Sequence, residues 1–260
     1  MNCTYYIVDA FTDRVFKGNP AGVCILNEFP DRNTMQSIAA ENNFSETAFV
    51  VRRNRYYDIK WFTPAEEVDL CGHATLGSAY AISRFVEPGA EKMEFHSMSG
   101  ILRVERSGDV FTLDFPSRPP KPVKAPEGLG GMLGTEAKEV LRSRDLVVLL
   151  ESERQVRELK PDLSKMERLE DGMGVLVTAK GESADFVSRC FFPAVGVQED
   201  AVTGSAHCSL IPFWAERLGK TRMTAAQLSA RGGRLTCELC GNRVKIGGRA
   251  ALYLTGEITF

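Results

Sequence analysis

An internal repeat limits the folds that this chain can adopt. The phrase WFTPAEEVDLCGHATLGSA resembles the later phrase CFFPAVGVQEDAVTGSAHC, and the match sets Gly72 opposite Gly204 at an offset of 132 residues. GILRVERSGDV likewise resembles GRLTCELCGNR, which sets Gly100 opposite Gly233 at an offset of 133 residues. Because chance patterning would not hold register over that distance, the two matches indicate a duplicated structural unit. We predict two similar halves whose equivalent segments converge on one cleft, a favoured place for a ligand.

Local patterns predict a chain in which strands outnumber helices. Short runs rich in β-branched and aromatic residues are separated by Gly, Asn and Pro. These predicted strand regions are Tyr5–Val8, Thr47–Arg52, Asp58–Phe62 and Leu102–Phe115. The predicted helices are Thr34–Asn42, Gly72–Val86, Gly204–Leu218 and a stub at Thr224–Ser229. The stretch SRPPKPVKAP (117–126) carries four prolines and predicts a linker between the halves.

Charge and hydropathy argue against several classes of function. The 260 residues include 32 basic and 34 acidic side chains, for a net charge of -2, without a long run of one sign. This balance offers no electrostatic surface for nucleic acid or for an anionic membrane. The apolar runs are too short to span a bilayer, and the first residues lack the pattern of a signal peptide, so we expect a cytoplasmic protein.

The cysteines predict neither a disulfide framework nor a metal site. Seven cysteines are scattered along a chain of ordinary size, which is typical of proteins in a reducing compartment. Cys237 and Cys240 form one C-x-x-C, but a structural zinc site needs two further ligands at suitable spacing, and the chain has only three histidines. We therefore predict that the protein holds no metal and that most thiols are small core residues.

The repeated phrase has a chemical meaning in each half. A strand and a polar turn run into Gly72 or Gly204, which is followed at once by a helix of small residues. Glycine permits close approach to the backbone, and the free N–H groups of a first helical turn attract an anion. Both helices are apolar nearly all round, which indicates burial inside a sheet. Each segment can be a plain helix cap, but the matched pair favours two cradles for a small carboxylate or an enolate-like intermediate.

Three side chains near these phrases are candidates for proton transfer. Glu46 comes just before an apolar strand in NFSETAFV, where partial desolvation would raise its pKa toward a useful value. His73 lies in the first cradle and Asp200 lies just ahead of the second. The residues alone also allow Glu46 to be a capping or solvated carboxylate, and His73 and Asp200 to be structural.

The motifs together resemble the phenazine-biosynthesis PhzF-like family, which has the diaminopimelate epimerase fold. The resemblance covers essentially the whole chain and keeps the family's order. The matching motifs are FKGNPAGV (16–23), NFSETAF (43–49), CGHAT (71–75), EDAVTGSA (199–206) and RGGRL (231–235).

The resemblance implies an α+β fold of two halves, each a mainly antiparallel sheet curled around a central helix. The expected halves are residues 1–117, joined by the C-terminal strand at 252–260, and residues 118–251. It also implies a homodimer that acts on a small carboxylate substrate without a cofactor. By the same resemblance Glu46 matches the acid/base glutamate and His73 and Asp200 its active-site partners. The implied substrate-binding residues are Asn19, Gly72, Gly204 and Ser205.

One substitution between the repeats bears on the mechanism. Epimerases and racemases of this fold use two cysteines, one per half, and a thiol suits that role because a helix N-terminus can lower its pKa. Cys71 stands at the first position, but its repeat partner is Thr203, whose hydroxyl cannot supply an accessible anion. The loss of one thiol favours an isomerase in which Glu46 alone moves a proton from one carbon to another. An amino-acid epimerase or racemase that uses Cys71 with another base, and a catalytically idle binding protein, stay open as alternatives.

Overall fold

The computed structural model describes residues 2–169 and 174–260. Contacts divide the chain into two units. The first unit contains Met1–Asp114 and Gly247–Phe260, and the second contains Phe115–Ile246. The boundaries between the units therefore lie at 114/115 and 246/247. The boundaries expected from the sequence were 117/118 and 251/252. Among the described residues, no helix is both long enough and apolar enough to cross a bilayer.

The first unit is built mainly of strands. These are β1 (Asn2–Ala10), β2 (Asn19–Leu26), β3 (Thr47–Arg52), β4 (Tyr57–Phe62), β5 (Glu67–Val68), β6 (Lys92–Ser97), β7 (Gly100–Ser107) and β8 (Val110–Pro116). Its helices are α1 (Arg32–Asn42) and α2 (Gly72–Ala81), and α2 continues into a π-helical turn at Ile82–Val86.

The second unit repeats this organisation and adds short helices. Its strands are β9 (Lys121–Pro122), β10 (Glu139–Arg142), β11 (Leu146–Leu149), β12 (Val175–Lys180), β13 (Phe186–Phe192), β14 (Val197–Asp200), β15 (Arg222–Gln227), β16 (Gly233–Cys240) and β17 (Arg243–Gly248). Its helices are α3 (Leu129–Leu133), α4 (Glu153–Glu158), α5 (Leu163–Met166) and α6 (His207–Leu218). The last strand, β18 (Ala250–Thr259), belongs to the first unit and pairs antiparallel with β1.

Strand pairing within each unit follows one pattern. β1–β2 and β10–β11 are antiparallel, whereas β2–β3 and β11–β12 are parallel. β4 pairs antiparallel with β5 and parallel with β6, as β13 does with β14 and β15. After β7 and after β16 the chain turns at a glycine in the left-handed region, Gly108 with φ +61° and Gly241 with φ +62°. This agreement, element for element, is what the duplicated sequence predicted.

Helix α2 is the central helix of the first unit. Nine of its ten residues are buried, because a sequence that is apolar all round can be covered on every side. It packs on β1, β2 and β3, and a Cβ at Gly77 would lie 3.5 Å from the Val8 Cβ, an ordinary van der Waals distance. Helix α1 is partly exposed and covers a separate core cluster that includes Phe49 and Phe62.

Helix α6 is the corresponding buried helix of the second unit. Its residues from His207 to Ala215 are buried, and they pack near β15 and β16. Trp214 stacks on Phe186 with ring centroids 5.8 Å apart, and its indole N–H donates to Thr178 Oγ1 at 2.9 Å. The prediction of two buried helices, drawn from their apolar pattern, is therefore confirmed in both units.

The predicted start of the second buried helix was wrong by three residues. Helix α6 begins at His207 and not at Gly204, and a turn of i→i−3 hydrogen bonds precedes it. His207 Nδ1 donates to the Thr203 carbonyl at 2.8 Å. In a regular α-helix this carbonyl would instead accept a hydrogen bond from a backbone N–H. The His207 N–H bonds to the Gly204 carbonyl instead.

Two further local predictions were wrong. The segment predicted as a helical stub at Thr224–Ser229 contains most of strand β15, which pairs parallel with β13 and antiparallel with β16. Tertiary pairing here overrides the helix propensity of its Ala and Gln residues. The predicted linker at 117–126 contains β9, and the backbone N–H of Arg118 donates to the Cys208 carbonyl, so this stretch packs on the second unit.

The cysteines follow the expectation of small core residues. All seven are free thiols. Cys240 is half-buried and the other six are buried. Burial raises the pKa of Cys208 to about 11 and raises that of Cys190 well above the ordinary value for a thiol. These two thiols therefore stay protonated and inert near neutral pH.

The buried His207 makes the stability of the fold depend on pH. Burial lowers its pKa to about 4 from the ordinary 6.5. The unfolded chain binds this proton more tightly, so the free energy of unfolding falls as the pH drops from about 6.5 toward 4. Between about pH 7 and pH 5, the free energy of unfolding should fall by about 2 kcal/mol less in His207→Asn than in the unmodified protein. The Asn amide can still donate to the Thr203 carbonyl. Urea unfolding at the two pH values measures this difference, and an unchanged pH dependence would contradict it.

Candidate active site

Four side chains of the first unit that were discussed above as site candidates lie close together. The Asn19 amide nitrogen Nδ2 donates to His73 Nδ1 at 3.2 Å. The other ring nitrogen, Nε2, lies 3.3 Å from Glu46 Oε2. Cys71 Sγ lies 3.5 Å from His73 Nδ1. The imidazole is therefore the centre of a cluster with an amide and a thiol at one nitrogen and a carboxylate at the other.

Asn19 is positioned by the turn that joins β1 to β2. It is the first residue of β2, pairs with Ala10 across the hairpin and is fully buried. The turn contains Phe16 with φ +69°, a conformation that costs energy for a residue other than glycine. The buried carboxylate of Asp9 supports the turn by accepting the Phe16 backbone N–H at 2.8 Å.

Glu46 is positioned by the end of α1 and the start of β3. Asn43 caps α1 in the left-handed conformation, with φ 53°, and the chain then enters β3 at Thr47. Thr47 is completely buried, so the residue before it has little freedom to move. The Glu46 side chain is 21% exposed, which leaves it both partly desolvated and reachable.

Cys71, Gly72 and His73 form the start of α2. Cys71 is the N-cap residue in an extended conformation, and Gly72 is the first residue of the helix. Thr75 Oγ1 donates to the Cys71 carbonyl at 2.5 Å and fixes this turn. The side chain of His73 is only 6% exposed. The N-terminal amides of α2, with the positive end of the helix dipole, lie in the same turn as the imidazole.

This first cluster can transfer protons. With the Asn19 amide donating to Nδ1, the imidazole proton lies on Nε2, the nitrogen that faces the Glu46 carboxylate. A carboxylate paired with an imidazole can take up, hold and return one proton. Glutamate, cysteine and histidine are also metal ligands, and the ligand atoms of Glu46, Cys71 and His73 all lie within 4.8 Å of one another.

The second unit holds Asp200 in a separate hydrogen-bonded group. Thr203 Oγ1 donates to Asp200 Oδ2 at 2.6 Å. The Gln227 amide donates to the Asp200 carbonyl at 2.8 Å, and its oxygen accepts the Thr203 N–H at 2.9 Å. Gln227 is buried at the end of β15, so it fixes the backbone that carries both residues.

Gly204 and Ser205 lie in the turn that precedes α6. Ser205 Oγ lies 3.5 Å from Arg144 Nη2, and the same guanidinium donates to the buried Asp145 carboxylate at 2.7 Å. Asp145 is held in turn by the Gly174 N–H at 3.2 Å. This turn therefore combines backbone N–H groups with a positive charge that a buried carboxylate keeps in place.

The two buried helices begin with equivalent interactions. In the first unit a side chain at Thr75 bonds the carbonyl four residues earlier, at Cys71. In the second unit His207 does the same to Thr203. The repeat alignment places Cys71 opposite Thr203, so one position carries a thiol beside an imidazole in one unit and a hydroxyl bonded to a carboxylate in the other.

Several residues that support these groups were not predicted from the sequence. Gln227 was missed because its segment was predicted as a helix, although it lies shortly before the RGGRL motif. Arg144 and Asp145 were missed because they stand outside the repeated phrases, and an adjacent basic and acidic pair is common on protein surfaces. Their role depends on contacts with residues about thirty and sixty positions away, which no local pattern encodes.

Comparison with solved structures defines the structural class. A hydroxyproline epimerase from Agrobacterium vitis matches with a TM-score of 0.62 over 99% of this chain and 92% of its own, at 10% sequence identity. A likeness at that identity concerns the fold alone. It confirms the α+β, epimerase-like fold that the sequence motifs implied.

The chain belongs to the PhzC-PhzF family, whose model, described as phenazine biosynthesis-like protein, matches residues 8–256. A PhzF-family protein from Enterococcus faecalis is 46% identical with a TM-score of 0.98, and the match covers 100% of both chains. A Pseudomonas aeruginosa protein named as an uncharacterized isomerase is 51% identical over 259 residues, which is 99% of each chain. The family resemblance inferred from the motifs is confirmed.

Gly18 is expected to be essential for the position of Asn19. It has φ +64°, and a Cβ there would lie 2.1 Å from the Ala10 carbonyl oxygen. Gly108 is a matched control, because its φ is +61° and no described atom lies within 4 Å of its Cβ position. We expect Gly18→Ala to lower the free energy of unfolding by about 1–3 kcal/mol more than Gly108→Ala does. Chemical denaturation compares the two, and equal losses would contradict the role given to Gly18.

Proposed function

We propose that this protein is an isomerase that moves a proton within a small carboxylate substrate by acid/base chemistry and without a cofactor. The observation that carries the proposal is the contact of 3.3 Å between the Glu46 carboxylate and His73 Nε2, with Asn19 on the opposite ring nitrogen. Membership of the PhzC-PhzF family supports it, as does a relative at 51% identity that is named an isomerase.

Glu46 is the general base and then the general acid of the proposed reaction. Its carboxylate takes a proton from one carbon of an unsaturated acid, which leaves a delocalised anion on the substrate. The protonated Glu46 then delivers the same proton to another carbon, so no second base is required. His73 stabilises each protonation state of Glu46 through Nε2, and the Asn19 amide keeps the ring from turning away.

The helix starts are proposed to hold the negative charge of the substrate. Backbone N–H groups at Gly72 in the first unit, and at Gly204 and Ser205 in the second, are the donors that the sequence analysis assigned to this task. Donors that are fixed before the reaction stabilise developing charge without reorganisation. We assign Asp200 the role of polarising or protonating the intermediate, and its hydrogen bond to Thr203 holds the carboxyl group in one orientation.

The substrate class that we propose is a small unsaturated acid. A cyclic dihydro-hydroxy aromatic acid, as in the best-understood activity of the family, is one member of that class. We further propose that the protein acts in the cytoplasm as a homodimer and binds no nucleic acid. Light scattering in solution checks the assembly, since a particle with the 28.7 kDa mass of one chain would rule out the dimer.

Glu46→Gln is expected to abolish proton exchange. The amide keeps the shape of the side chain but cannot accept a proton from carbon, so the exchange rate should fall by at least about 100-fold while substrate binding changes little. A panel of small unsaturated acids incubated in heavy water, read by mass shift, measures the exchange.

Glu41→Gln is the matched control, because Glu41 is an exposed carboxylate on α1 that lies five positions away along the chain. It should exchange at the rate of the unmodified protein. Asp200→Asn in the same assay should slow exchange without abolishing it. Exchange that survives in Glu46→Gln would remove Glu46 from the mechanism.

A second candidate function rests on the position of Cys71. Its sulfur lies 3.5 Å from His73 Nδ1, so the thiol can exchange a proton with the imidazole. Glu46, His73 and Cys71 then offer a base and an acid of different kinds, as an amino-acid epimerase or racemase would need. The equivalent Thr203 donates its hydroxyl to Asp200, which speaks against a base at that position and favours the one-base isomerase.

Cys71→Ala separates these two functions. The one-base isomerase should keep its proton exchange within about 10-fold, because the thiol takes no part in the transfer. An epimerase that depends on the thiol should lose activity by about 1,000-fold or more, together with inversion at a single carbon of its amino-acid substrate. Loss of exchange in Cys71→Ala with retained binding would therefore reverse the preference. Binding across the whole panel without any exchange in the unmodified protein would instead indicate an idle binding protein.

A further inference from the structure

The first unit gathers three side chains of the types that bind zinc. Within residues 2–169 and 174–260, no other group of three His, Cys, Asp or Glu side chains has ligand atoms as close as those of Glu46, Cys71 and His73. We propose that these three residues bind Zn²⁺ or a similar thiophilic divalent cation, and that the bound cation reversibly inhibits the enzyme. The cation is an inhibitor in this proposal and not a resident cofactor.

The distances in the cluster are close to those between zinc ligands. Bonds of about 2.0–2.3 Å in a tetrahedral site place the ligand atoms about 3.3–3.7 Å apart. The Cys71 sulfur lies 3.5 Å from His73 Nδ1 and the Glu46 oxygen lies 3.3 Å from His73 Nε2, so an ion on one ring nitrogen uses only the contact made at that nitrogen. All three ligand atoms lie within 4.8 Å of one another, so closing the site needs a shift of about 1 Å. The long Glu46 side chain, which is 21% exposed, can make that shift by rotation.

Burial and charge also favour a cation at this place. The side chain of His73 is 6% exposed and Cys71 is 5% exposed, so water competes weakly for these ligands. On binding, the Cys71 thiol releases its proton to solvent and forms a sulfur–metal bond. The thiolate and the Glu46 carboxylate then carry two negative charges, which balance the two positive charges of the ion. A water molecule completes the four ligands, as in zinc sites with three protein ligands.

Asn19 supplies the outer support that a metal-binding histidine needs. Such a histidine has its second ring nitrogen fixed by a hydrogen bond, which sets the orientation of the ring. The Asn19 amide is 3.2 Å from His73 Nδ1 and is fully buried at the start of β2. If the ion takes Nε2, the ring proton moves to Nδ1, and the Asn19 amide has to turn over so that its oxygen accepts that proton. The ring is held in place before any cation arrives.

The C-x-x-C motif does not offer a comparable site. Cys237 and Cys240 both lie on β16, where residues three positions apart point to opposite faces of the strand. Cys237 is buried and Cys240 is half-buried. The two sulfurs therefore do not face one ion, and Cys240 serves as a control cysteine.

Inhibition follows from the identity of the ligands. The cation would hold the Glu46 carboxylate, which the proposed isomerase needs as its base, and the His73 imidazole beside it. This consequence alone rests on the proposed function. The binding site itself rests on the distances and burial of the three ligands.

Titration of the full-length protein with Co²⁺, a coloured substitute for Zn²⁺, tests the site without any substrate. We expect one equivalent to produce a thiolate-to-cobalt charge-transfer absorption in the near ultraviolet. Cys71→Ser should abolish this absorption, and competition with a chromophoric chelator should show that its Zn²⁺ affinity falls at least about 10-fold. Glu46→Gln should weaken Zn²⁺ binding by a similar factor while the absorption persists at higher Co²⁺. Cys240→Ser should leave both the absorption and the affinity unchanged.

Three results would overturn the proposal. They are the absence of a charge-transfer absorption in the unmodified protein, its survival in Cys71→Ser, and its loss in Cys240→Ser. Circular dichroism establishes whether Cys71→Ser is folded, and Glu46→Gln supplies the decisive comparison if it is not. The proposed metal site and the proposed isomerase reaction can be refuted independently of each other. Exchange that depends on Glu46 without a cobalt spectrum refutes only the site, and a cobalt spectrum without exchange refutes only the reaction.

Discussion

The burial of helix α2 is the constraint on which the proposed chemistry depends. Nine of its ten residues are buried against strands of its own unit, so the helix can neither slide nor rotate without exposing apolar surface. His73 lies in the first turn of this fixed helix, and Cys71 caps it. The hairpin β1–β2 brings Asn19 to one nitrogen of the imidazole, and the entry to β3 brings Glu46 to the other. A site of low exposure is thereby assembled from three separate parts of the chain.

Duplication gave the protein two copies of this scaffold, which then took up different chemical groups. Both buried helices begin with a side chain that bonds the carbonyl four residues earlier, so the architecture of the turn is retained. The groups at the equivalent position differ, because Cys71 contacts an imidazole while Thr203 donates to Asp200. A two-thiol mechanism needs the same group in both copies, and this divergence is the physical basis for preferring a single base. The thiol that remains has acquired neighbours that suit a metal ion.

Much of the fold could be predicted because its signals are local or repeated. The nearly all-round apolar character of residues 72–86 and 204–218 predicted two buried helices, and the nearly equal offsets of Gly72 and Gly100 from their repeat partners predicted a duplicated unit. Two of the predictions failed, for different physical reasons. The segment around Gln227 has the composition of a helix, but hydrogen bonds from β13 and β16 make it a strand. Helix α6 starts three residues late because the His207 side chain takes the Thr203 carbonyl. The strand partners of β15 are distant along the chain, whereas Thr203 is only four residues from His207 and the sequence does not show which hydrogen bond the His207 side chain makes.

Patterns in the amino-acid sequence were enough to predict the duplicated α+β scaffold, the family to which the chain belongs and the set of side chains able to carry chemistry. Periodicity and repeat spacing encode these features, since each depends on residues that are close along the chain or related by one offset. Only the tertiary structure decided that Asn19, Glu46, Cys71 and His73 share one cluster and that Gln227 fixes the backbone of Asp200. Distances of 3.2–3.5 Å between atoms of residues up to 54 positions apart arise from packing of the whole unit, and packing is set by the sum of many contacts that no single segment contains.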